Sequence, residues 1–417
     1  MKSTSIIAVL ALCLLALAGC SSDKPVESPT ISGIAAIASE GSKVPHLSVA
    51  GDGAVIMSWL EPSDDGVTLK WSALAGDRWL DATEVASGED WFVNWADFPS
   101  VTPITDSFWA AHWLAKKPGG TYAYDVAASL SRDGGKTWGE PFIVHDDDDS
   151  PTEHGFVTLF PWQEQLGALW LDGRNTKTVE THMHDHNHHS GGMTLRSARF
   201  DESGMASLRT ELDALVCDCC QTDVAVTASG PIAVYRNRTE DEIRDIHVAK
   251  FADGNWGANR PVADDGWEIA GCPVNGPAID AVGQQVAVAW FTAANDDLRI
   301  RLARSIDEGD TFAAAIDVDS GQPVGRVDII QHSSGATIVS WIRALDDGSG
   351  ELVVRVVTKD GELEPIWPVA RLSSGRISGF PQMVESDGQI VFAWTDVKNG
   401  ISRVRSAKME LDALLRT

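Results

Sequence analysis

Basic residues are scarce in this chain. Its 33 lysine and arginine residues face 60 aspartate and glutamate residues, which gives a formal net charge of -27 at pH 7. Nucleic-acid-binding proteins present a basic surface to the phosphates, so this balance argues against a nucleic-acid partner. A strongly negative surface favours solubility and attracts cations, and it carries no information about the fold.

The apolar run near the N terminus is too short to span a bilayer. The sequence begins "MKSTSIIAVLALCLLALAGCSSD", in which a lysine and an apolar run precede Leu17-Ala18-Gly19-Cys20. This order is typical of a bacterial export signal that ends in a lipobox. We expect cleavage before Cys20, followed by acylation of its thiol and its new amine, and several acyl chains make such anchoring stable. An ordinary cleaved signal with a chance cysteine is the alternative.

The predicted organisation has three parts. Residues 1–19 are the lipoprotein signal peptide, residues 20–30 are a lipidated flexible tether, and residues 31–417 form a single domain. Ser21 after the lipidated cysteine favours the outer membrane, on its periplasmic or its surface face. The expected partners are therefore the membrane, through the lipid, and a protein of the cell envelope.

Cysteines are few, and most of them are clustered. Of six in the chain, Cys13 leaves with the signal and Cys20 is lipidated. The four that remain are Cys217, Cys219, Cys220 and Cys272. An exported protein can pair them as two disulfides. They can also bind a soft metal such as copper(I), or zinc, or act as reactive thiols.

A repeat of roughly 55 residues runs through the chain. Seven short apolar strands, from "AVIMSWL" to "IVFAWTD", end in an aromatic residue. These aromatics are Trp59, Trp113, Trp170, Tyr235, Trp290, Trp341 and Trp394. Each strand follows another apolar strand and precedes an alternating one, and an edge-like strand comes next.

Four strands per repeat predict an all-β fold, a β-propeller of four-stranded blades. Seven units are counted, with six blades as the alternative. The seventh unit lacks a fourth strand, and the N-terminal "SGIAAIASEGS" resembles the missing one. We therefore predict that an N-terminal strand closes the ring, which removes an open sheet edge.

Two turns between the third and fourth strands share one motif, S-x-D-x-G-x-x-aromatic. The residues are Ser131, Asp133, Gly135 and Trp138 in "SRDGGKTW", and Ser305, Asp307, Gly309 and Phe312 in "SIDEGDTF". The motif resembles the Asp box of sialidases and related BNR-repeat propellers. For these residues we expect a structural role, in which the carboxylate holds the turn and the aromatic ring packs between sheets.

The chemically rich loops are predicted to share one face of such a propeller, because they join second to third strands or one blade to the next. This face carries the four cysteines and a histidine-rich tract over residues 182–189, and such tracts are compositional signals for metal binding. The candidate imidazole ligands are His184, His186, His188, His189 and, in a separate loop, His154. We predict a Cys/His site for copper or zinc. A solvated insertion that binds metal loosely is the alternative.

The resemblance to sialidases implies a glycoside hydrolase with a tyrosine nucleophile paired with a glutamate, an acid/base aspartate and three arginines. Only three tyrosines are present, and Tyr235 with Glu242 is the candidate pair on the rich face. The candidate aspartates and arginines are Asp97, Asp172, Arg174, Arg236, Arg238 and Arg343. The early aromatic-Arg-Ile-Pro motif of the family is absent. The alternative is that Tyr235 is a core aromatic and the charged residues form surface salt bridges.

The strings "NWADFPS", "EHGFV", "WLDGR", "CDCCQT", "YRNRTEDEIRD" and "GCPVNGP" more closely resemble bacterial lipoproteins described only as sialidase-like. That resemblance implies a shared architecture and no established reaction. Three functions therefore stay open: binding of a glycan or small-molecule ligand through a metal site, sialidase-type hydrolysis of sialoglycans, and a non-catalytic scaffold in the envelope.

The lipobox interpretation predicts that Cys20→Ser abolishes lipidation. The variant should leave the membrane fraction, because it has lost the thiol that carries diacylglycerol. Cell fractionation and mass spectrometry of the mature N terminus measure both effects, with Cys13→Ser as the matched control that stays lipidated. A Cys20→Ser protein that still carries lipid would contradict the assignment.

Overall fold

The computed structural model describes residues 28–147, 151–176 and 191–415. The predictions for Cys20 and for the histidine-rich tract at 182–189 lie outside these ranges. No helix among the described residues is long and apolar enough to cross a lipid bilayer.

Seven antiparallel sheets form the blades of the propeller. β1 (Ile31–Ile34) lies near the N terminus and belongs to the last blade. Blade 1 contains β2 (Lys43–Val49), β3 (Val55–Ser63), β4 (Gly66–Ala75), β5 (Arg78–Trp79) and β6 (Thr83–Gly88). Blade 2 contains β7 (Ser100–Pro103), β8 (Trp109–Lys116), β9 (Tyr124–Ser131) and β10 (Phe142–Ile143). Blade 3 contains β11 (His154–Trp162), β12 (Gln165–Asp172), β13 (Met193–Phe200) and β14 (Ala206–Val216).

The remaining blades follow the same order. Blade 4 contains β15 (Asp223–Thr227), β16 (Gly230–Arg236), β17 (Ile246–Ala252), β18 (Asn255–Trp256) and β19 (Arg260–Pro261). Blade 5 contains β20 (Ala278–Val282), β21 (Gln285–Thr292), β22 (Arg299–Ser305) and β23 (Ile316–Asp319). Blade 6 contains β24 (Pro323–Gln331), β25 (Thr337–Ala344), β26 (Ser349–Val357) and β27 (Trp367–Ser373). Blade 7 contains β28 (Gln382–Ser386), β29 (Gln389–Lys398), β30 (Ile401–Glu410) and β1.

The predicted seven-bladed all-β propeller is confirmed, and the six-bladed alternative is wrong. Short helices lie at Ala294–Asp296, Arg376–Ser378 and, as α1, Leu411–Leu415. In blade 7, β1 pairs antiparallel with β30, with Ile31 opposite Met409.

The repeat aromatics lie in the second strand of each blade and pack between neighbouring sheets. Two of them donate hydrogen bonds to carboxylates of another blade. Tyr235 Oη donates to Asp213 at 2.7 Å, and Trp341 Nε1 donates to Asp319 at 2.8 Å. Both acceptors lie on the outer strand of the preceding blade. Buried Tyr and Trp side chains usually need such a partner. Tyr235 therefore occupies the structural position that Trp holds in the other blades.

In both Asp boxes the aspartate side chain hydrogen-bonds within the turn, as predicted from the motif. The Asp133 carboxylate accepts hydrogen bonds from the Thr137 backbone N–H at 2.9 Å and from the Ser131 hydroxyl at 2.8 Å. Gly135 has a φ of +78°, and a Cβ there would lie 2.7 Å from Trp109. The second box repeats the carboxylate contacts, with Asp307 accepting from Thr311 N–H at 2.9 Å and from Ser305.

Three aspartates on the innermost strands connect blade 4 to blade 5, blade 5 to blade 6 and blade 6 to blade 7. Asp223 accepts from Ile279 N–H at 2.8 Å. Asp280 accepts from Gln331 N–H at 2.7 Å, and Asp328 accepts from Met383 N–H at 2.6 Å. In each case the other carboxylate oxygen accepts from the N–H of the residue that follows the aspartate. At these junctions, hydrogen bonds to side-chain carboxylates thus take the place of the backbone hydrogen bonds that join strands within one sheet.

A second set of side-chain hydrogen bonds stabilises the backbone at the start of two inner strands. Phe156 and Arg326 have φ values of +52° and +60°, which are unusual for residues with side chains. Their N–H groups donate to Asp97 at 2.8 Å and to Asn275 at 2.8 Å, and both acceptors come from the preceding blade-to-blade loop. Contacts from neighbouring loops therefore stabilise a strained backbone on this face of the ring.

The tying aspartates predict that stability falls as pH rises above neutrality. Burial, together with the nearby Asp223 and Asp280 carboxylates, raises the pKa of Asp328 to about 8, although hydrogen bonds from two backbone N–H groups oppose this rise. Because the unfolded chain releases this proton near its ordinary pKa, the folded state binds more protons in between. The free energy of unfolding should therefore decrease from pH 6.5 to 8.5, by at most about 1.4 kcal/mol per pH unit for each such group.

Urea denaturation across this pH range measures the slope, and Asp328→Asn should flatten it even if the variant is less stable overall. Asp396→Asn is the matched control, since that carboxylate lies outside the inner ring. An unchanged slope in Asp328→Asn would show that Asp328 is ionised in the folded protein.

Candidate functional site

A central cavity of about 390 Å³ lies along the propeller axis. Residues of the innermost strands and of the loops that enter them line it. Its ionisable lining groups are His46, Asp97, Asp223, Asp280, Asp328 and Glu385, and no arginine, lysine or tyrosine is among the described lining residues. An anionic sugar would meet no cation on these walls.

The predicted tyrosine pair is not assembled. Tyr235 is fully buried and donates to Asp213. Burial raises the pKa of its hydroxyl above the ordinary value. Glu242 instead accepts from Arg238 Nη2 at 2.5 Å and from Arg244 Nη2 at 2.7 Å. The structure thus places these two residues in separate networks.

The predicted arginines do not converge on a shared ligand position. Arg236 is 2% exposed, and its guanidinium donates to the backbone oxygens of Asn275 at 2.8 Å and Phe291 at 2.8 Å. Arg174 is bound to Asp172, with an Nε–Oδ1 distance of 2.7 Å. Arg343 pairs with Glu351 at 2.7 Å. These contacts occupy the guanidinium donors that a substrate carboxylate would need.

Asp97 belongs to a buried group that the sequence did not reveal. The Tyr124 hydroxyl donates to Asp97 at 3.0 Å and to Glu153 at 2.5 Å. Burial raises the pKa of Asp97 to about 7 and that of Glu153 to about 8. The three residues come from loops and a strand far apart in the sequence, and no local motif marks them. Tyr124 is 0% exposed, so it supports the cavity wall and does not contact a ligand in the cavity.

The cysteines do converge. The Sγ atoms of Cys217, Cys219 and Cys220 lie within 4.8 Å of one another, and Cys217 and Cys220 are 3.2 Å apart. Cys217 and Cys220 are buried, Cys219 is half-buried and Cys272 is exposed. All four are free thiols. Cys272, from the next blade-to-blade loop, contacts Cys219 and contributes to raising its pKa.

Two arginines give this cluster a positive surrounding. Burial opposes ionisation of Cys217, but hydrogen bonds from Cys219 and Cys220 and the charges of Arg244 and Arg236 together hold its pKa well below its ordinary value. Arg244 Nη1 donates to Cys217 Sγ at 3.3 Å. The ionised form is therefore favoured at Cys217, whereas the pKa values of the Cys219 and Cys220 thiols lie above their ordinary value.

His154 is not part of the cysteine group. Among the described residues, the group of close donor atoms around the thiols contains no histidine. The His154 ring lies instead between blades 2 and 3, with Asp125, His145, Asp147 and Asp172 around it. The structure therefore divides the predicted Cys/His ligands between two places.

Neither a protein-family profile nor a curated protein sequence matches the chain. Among solved structures, a protein of unknown function from Dyadobacter fermentans is similar with a TM-score of 0.53 and 12% identity, over 93% of this chain and 100% of that one. The polysaccharide lyase Uly1 is similar with a TM-score of 0.50 and 11% identity, over 88% of this chain and 89% of that one.

Trypanosoma rangeli sialidase is also among the similar structures, with a TM-score of 0.49 and 13% identity. The similarity covers 92% of this chain and 60% of that one. At these identities the likeness concerns the fold alone, and at that level the predicted β-propeller is confirmed.

The position of Arg244 predicts that its removal raises the pKa of Cys217. Arg244→Gln should shift the thiolate titration of the reduced, metal-free protein to higher pH, because a positive charge beside the sulfur is lost. Thiolate ultraviolet absorbance as a function of pH measures this shift.

Arg343→Gln is the matched control for that titration, because its partner is Glu351 and no thiol is near. An Arg244→Gln titration that superimposes on the wild-type curve would mean that Cys217 is protonated in the folded protein.

Proposed function

We propose that the chain is a metal-binding propeller lipoprotein of the bacterial envelope. In this proposal the loops that enter blades 4 and 5 hold copper(I) or zinc through Cys217, Cys219, Cys220 and Cys272. The observation that carries the proposal is the convergence of three sulfur atoms within 4.8 Å at the loop-rich face.

The spacing and the charge of the cluster support a soft metal. A zinc ion with Zn–S bonds of about 2.3 Å separates tetrahedral sulfur atoms by about 3.8 Å. This value lies between the 3.2 Å that separates Cys217 from Cys220 and the 4.8 Å within which all three sulfur atoms lie. Thiolates are the ligands that copper(I) and zinc favour. Arg244 and Arg236 would offset the negative charge of several thiolates, which lowers the cost of burying them.

The fourth ligand in the proposal comes from the neighbouring blade. Cys272 lies in the loop that follows blade 4 and approaches Cys219. Because Cys272 is exposed, this thiol can adjust its position more easily than the buried ones. Metal binding would then join the loops of two adjacent blades. A disulfide framework is the competing interpretation, and the same thiols would then be oxidised.

The sialidase alternative has less support from the site. Tyr235 takes the place of a core tryptophan, the candidate arginines are paired elsewhere, and no described basic residue lines the cavity. The proposal also includes a ligand of the loop-rich face. This ligand is either a glycan or small molecule that contacts the bound metal, or a protein of the envelope that docks on this face.

Metal analysis with thiol titration tests the proposal. Protein purified without a histidine tag should contain about one equivalent of copper or zinc per chain. Cys217→Ser and Cys219→Ser should each lower the metal content severalfold. Cys272→Ser should lower it less, because Cys272 is exposed and is not among the three sulfur atoms that lie within 4.8 Å of one another. The parent for all variants carries asparagine at the five histidines of residues 182–189, so that this tract adds no metal.

Met205→Ser is the matched control, because it removes an exposed sulfur atom outside the cysteine loops and should retain the metal. The four thiols should react with a thiol reagent only after a chelator has removed the metal. Native protein that contains no stoichiometric metal and four oxidised cysteines would overturn the proposal in favour of disulfides.

A further inference from the structure

Two buried histidines stack between blades 2 and 3, away from the thiols. His145 follows β10, His154 begins β11, and their ring centroids are 3.8 Å apart with an angle of 12° between the planes. His145 is 3% exposed and His154 is 0% exposed. Asp125, on β9, faces both rings.

Three imidazole nitrogens of this group lack hydrogen bonds although they are buried. Neither nitrogen of His154 forms one and His145 Nε2 forms none, whereas Asp125 Oδ1 forms an ion pair with Lys117. Buried polar groups without partners are costly and need an explanation.

The distances between these atoms suit coordination of one ion. Asp125 Oδ1 lies 3.2 Å from His145 Nε2 and 3.8 Å from His154 Nδ1, and the three donor atoms lie within 4.8 Å of one another. Metal–ligand bonds of about 2.0–2.1 Å separate tetrahedral donors by about 3.3 Å. We propose that Asp125, His145 and His154 form a second metal site, which binds a divalent transition-metal cation such as Zn²⁺.

The surroundings of His154 support this arrangement. Its Nε2 atom points to Asp147, with 3.3 Å between Nε2 and Oδ2. Metal-binding histidines usually donate their other ring N–H to a carboxylate, which fixes the tautomer and orients the ring. With Nδ1 on the metal, His154 would donate through Nε2 to Asp147. His145 would lose only a long contact, 3.4 Å, from the Asp147 backbone N–H to its Nδ1.

A nearby carboxylate is less suited to be a ligand. Asp172 Oδ1 lies 3.6 Å from His154 Nε2. However, the two oxygens of Asp172 already accept from Trp170 Nε1 at 2.9 Å and from Arg174 Nε at 2.7 Å. The free lone pairs therefore belong to the Asp125 side of the His154 ring.

Without a bound metal ion, Lys117 supplies the positive charge beside Asp125. Its ammonium group forms an ion pair with Asp125. A metal ion and Lys117 thus compete for one oxygen of Asp125.

The donor set defines the class of metal and separates this site from the cysteine cluster. Two imidazoles and a carboxylate favour zinc and related divalent ions, whereas thiolates favour copper(I). The site shares no residue with the cysteine group and does not depend on the proposed function. Cobalt(II) distinguishes the two, because thiolate ligands add a sulfur-to-metal charge-transfer band that nitrogen and oxygen ligands lack.

The experiment titrates the full-length protein with Co²⁺ and then Zn²⁺ in two parents. Both parents carry asparagine at the five histidines of residues 182–189, and the second also carries Cys217→Ser, Cys219→Ser and Cys220→Ser. We expect the second parent to bind about one equivalent without the charge-transfer band. His145→Asn and His154→Asn should weaken that binding at least tenfold, and Asp147→Asn about tenfold. His332→Asn, a variant of a half-buried histidine in the turn after β24, is the matched control.

Lys117→Met keeps the proposed ligands and tests the site even if the histidine variants fold poorly. Because the competing ammonium group is removed, we expect tighter Zn²⁺ binding and a larger Zn²⁺-dependent rise in Tm than in the parent. Absence of binding by the second parent, or unchanged affinity in both His145→Asn and Lys117→Met, would overturn the proposal and show that the cluster has a structural role only.

Discussion

The ring depends on side-chain carboxylates that bind backbone N–H groups of the neighbouring blade. Strands within a blade satisfy one another through the antiparallel ladder, whereas most contacts between blades are made by side chains. Asp223, Asp280 and Asp328 cross three of these junctions on the inner strands. Tyr235 and Trp341 make a similar connection farther out, where each donates to a carboxylate on the outer strand of the blade before.

Side-chain hydrogen bonds to the backbone also explain how the loop-rich face can position reactive groups. Side chains of one blade-to-blade loop hold the strained backbone of the next, as Asp97 does for Phe156 and Asn275 does for Arg326. Loops tied in this way keep their side chains in place without a ligand. The cysteine group and the stacked histidines lie on either side of blade 3, each at a junction between sheets. Groups placed at such junctions can connect two blades when an ion binds them.

The repeat made most of the fold predictable from the sequence, because each blade repeats the spacing of apolar strands and a terminal aromatic. The four cysteines were predictable as a group for the same reason, since the repeat places Cys272 in the loop equivalent to that of Cys217. The catalytic hypothesis was harder to judge. Whether Tyr235 faces a ligand or a neighbouring sheet depends on Asp213, which lies on another blade and carries no signal in the sequence. His145, Asp125 and Tyr124 were missed because no local motif marks them and their partners come together only in the folded chain.

The pairing of β1 with β30 has a consequence for how the chain folds. Ile31 and Met409 are opposite each other in the sheet although almost the whole domain separates them in sequence. Contacts between distant residues carry a large loop-closure cost and form late. During synthesis the first strand emerges long before its partner, while the intervening blades complete their own ladders. The edge of β30 and the unpaired first strand are then the surfaces on which a nascent chain is most exposed to pairing with another chain.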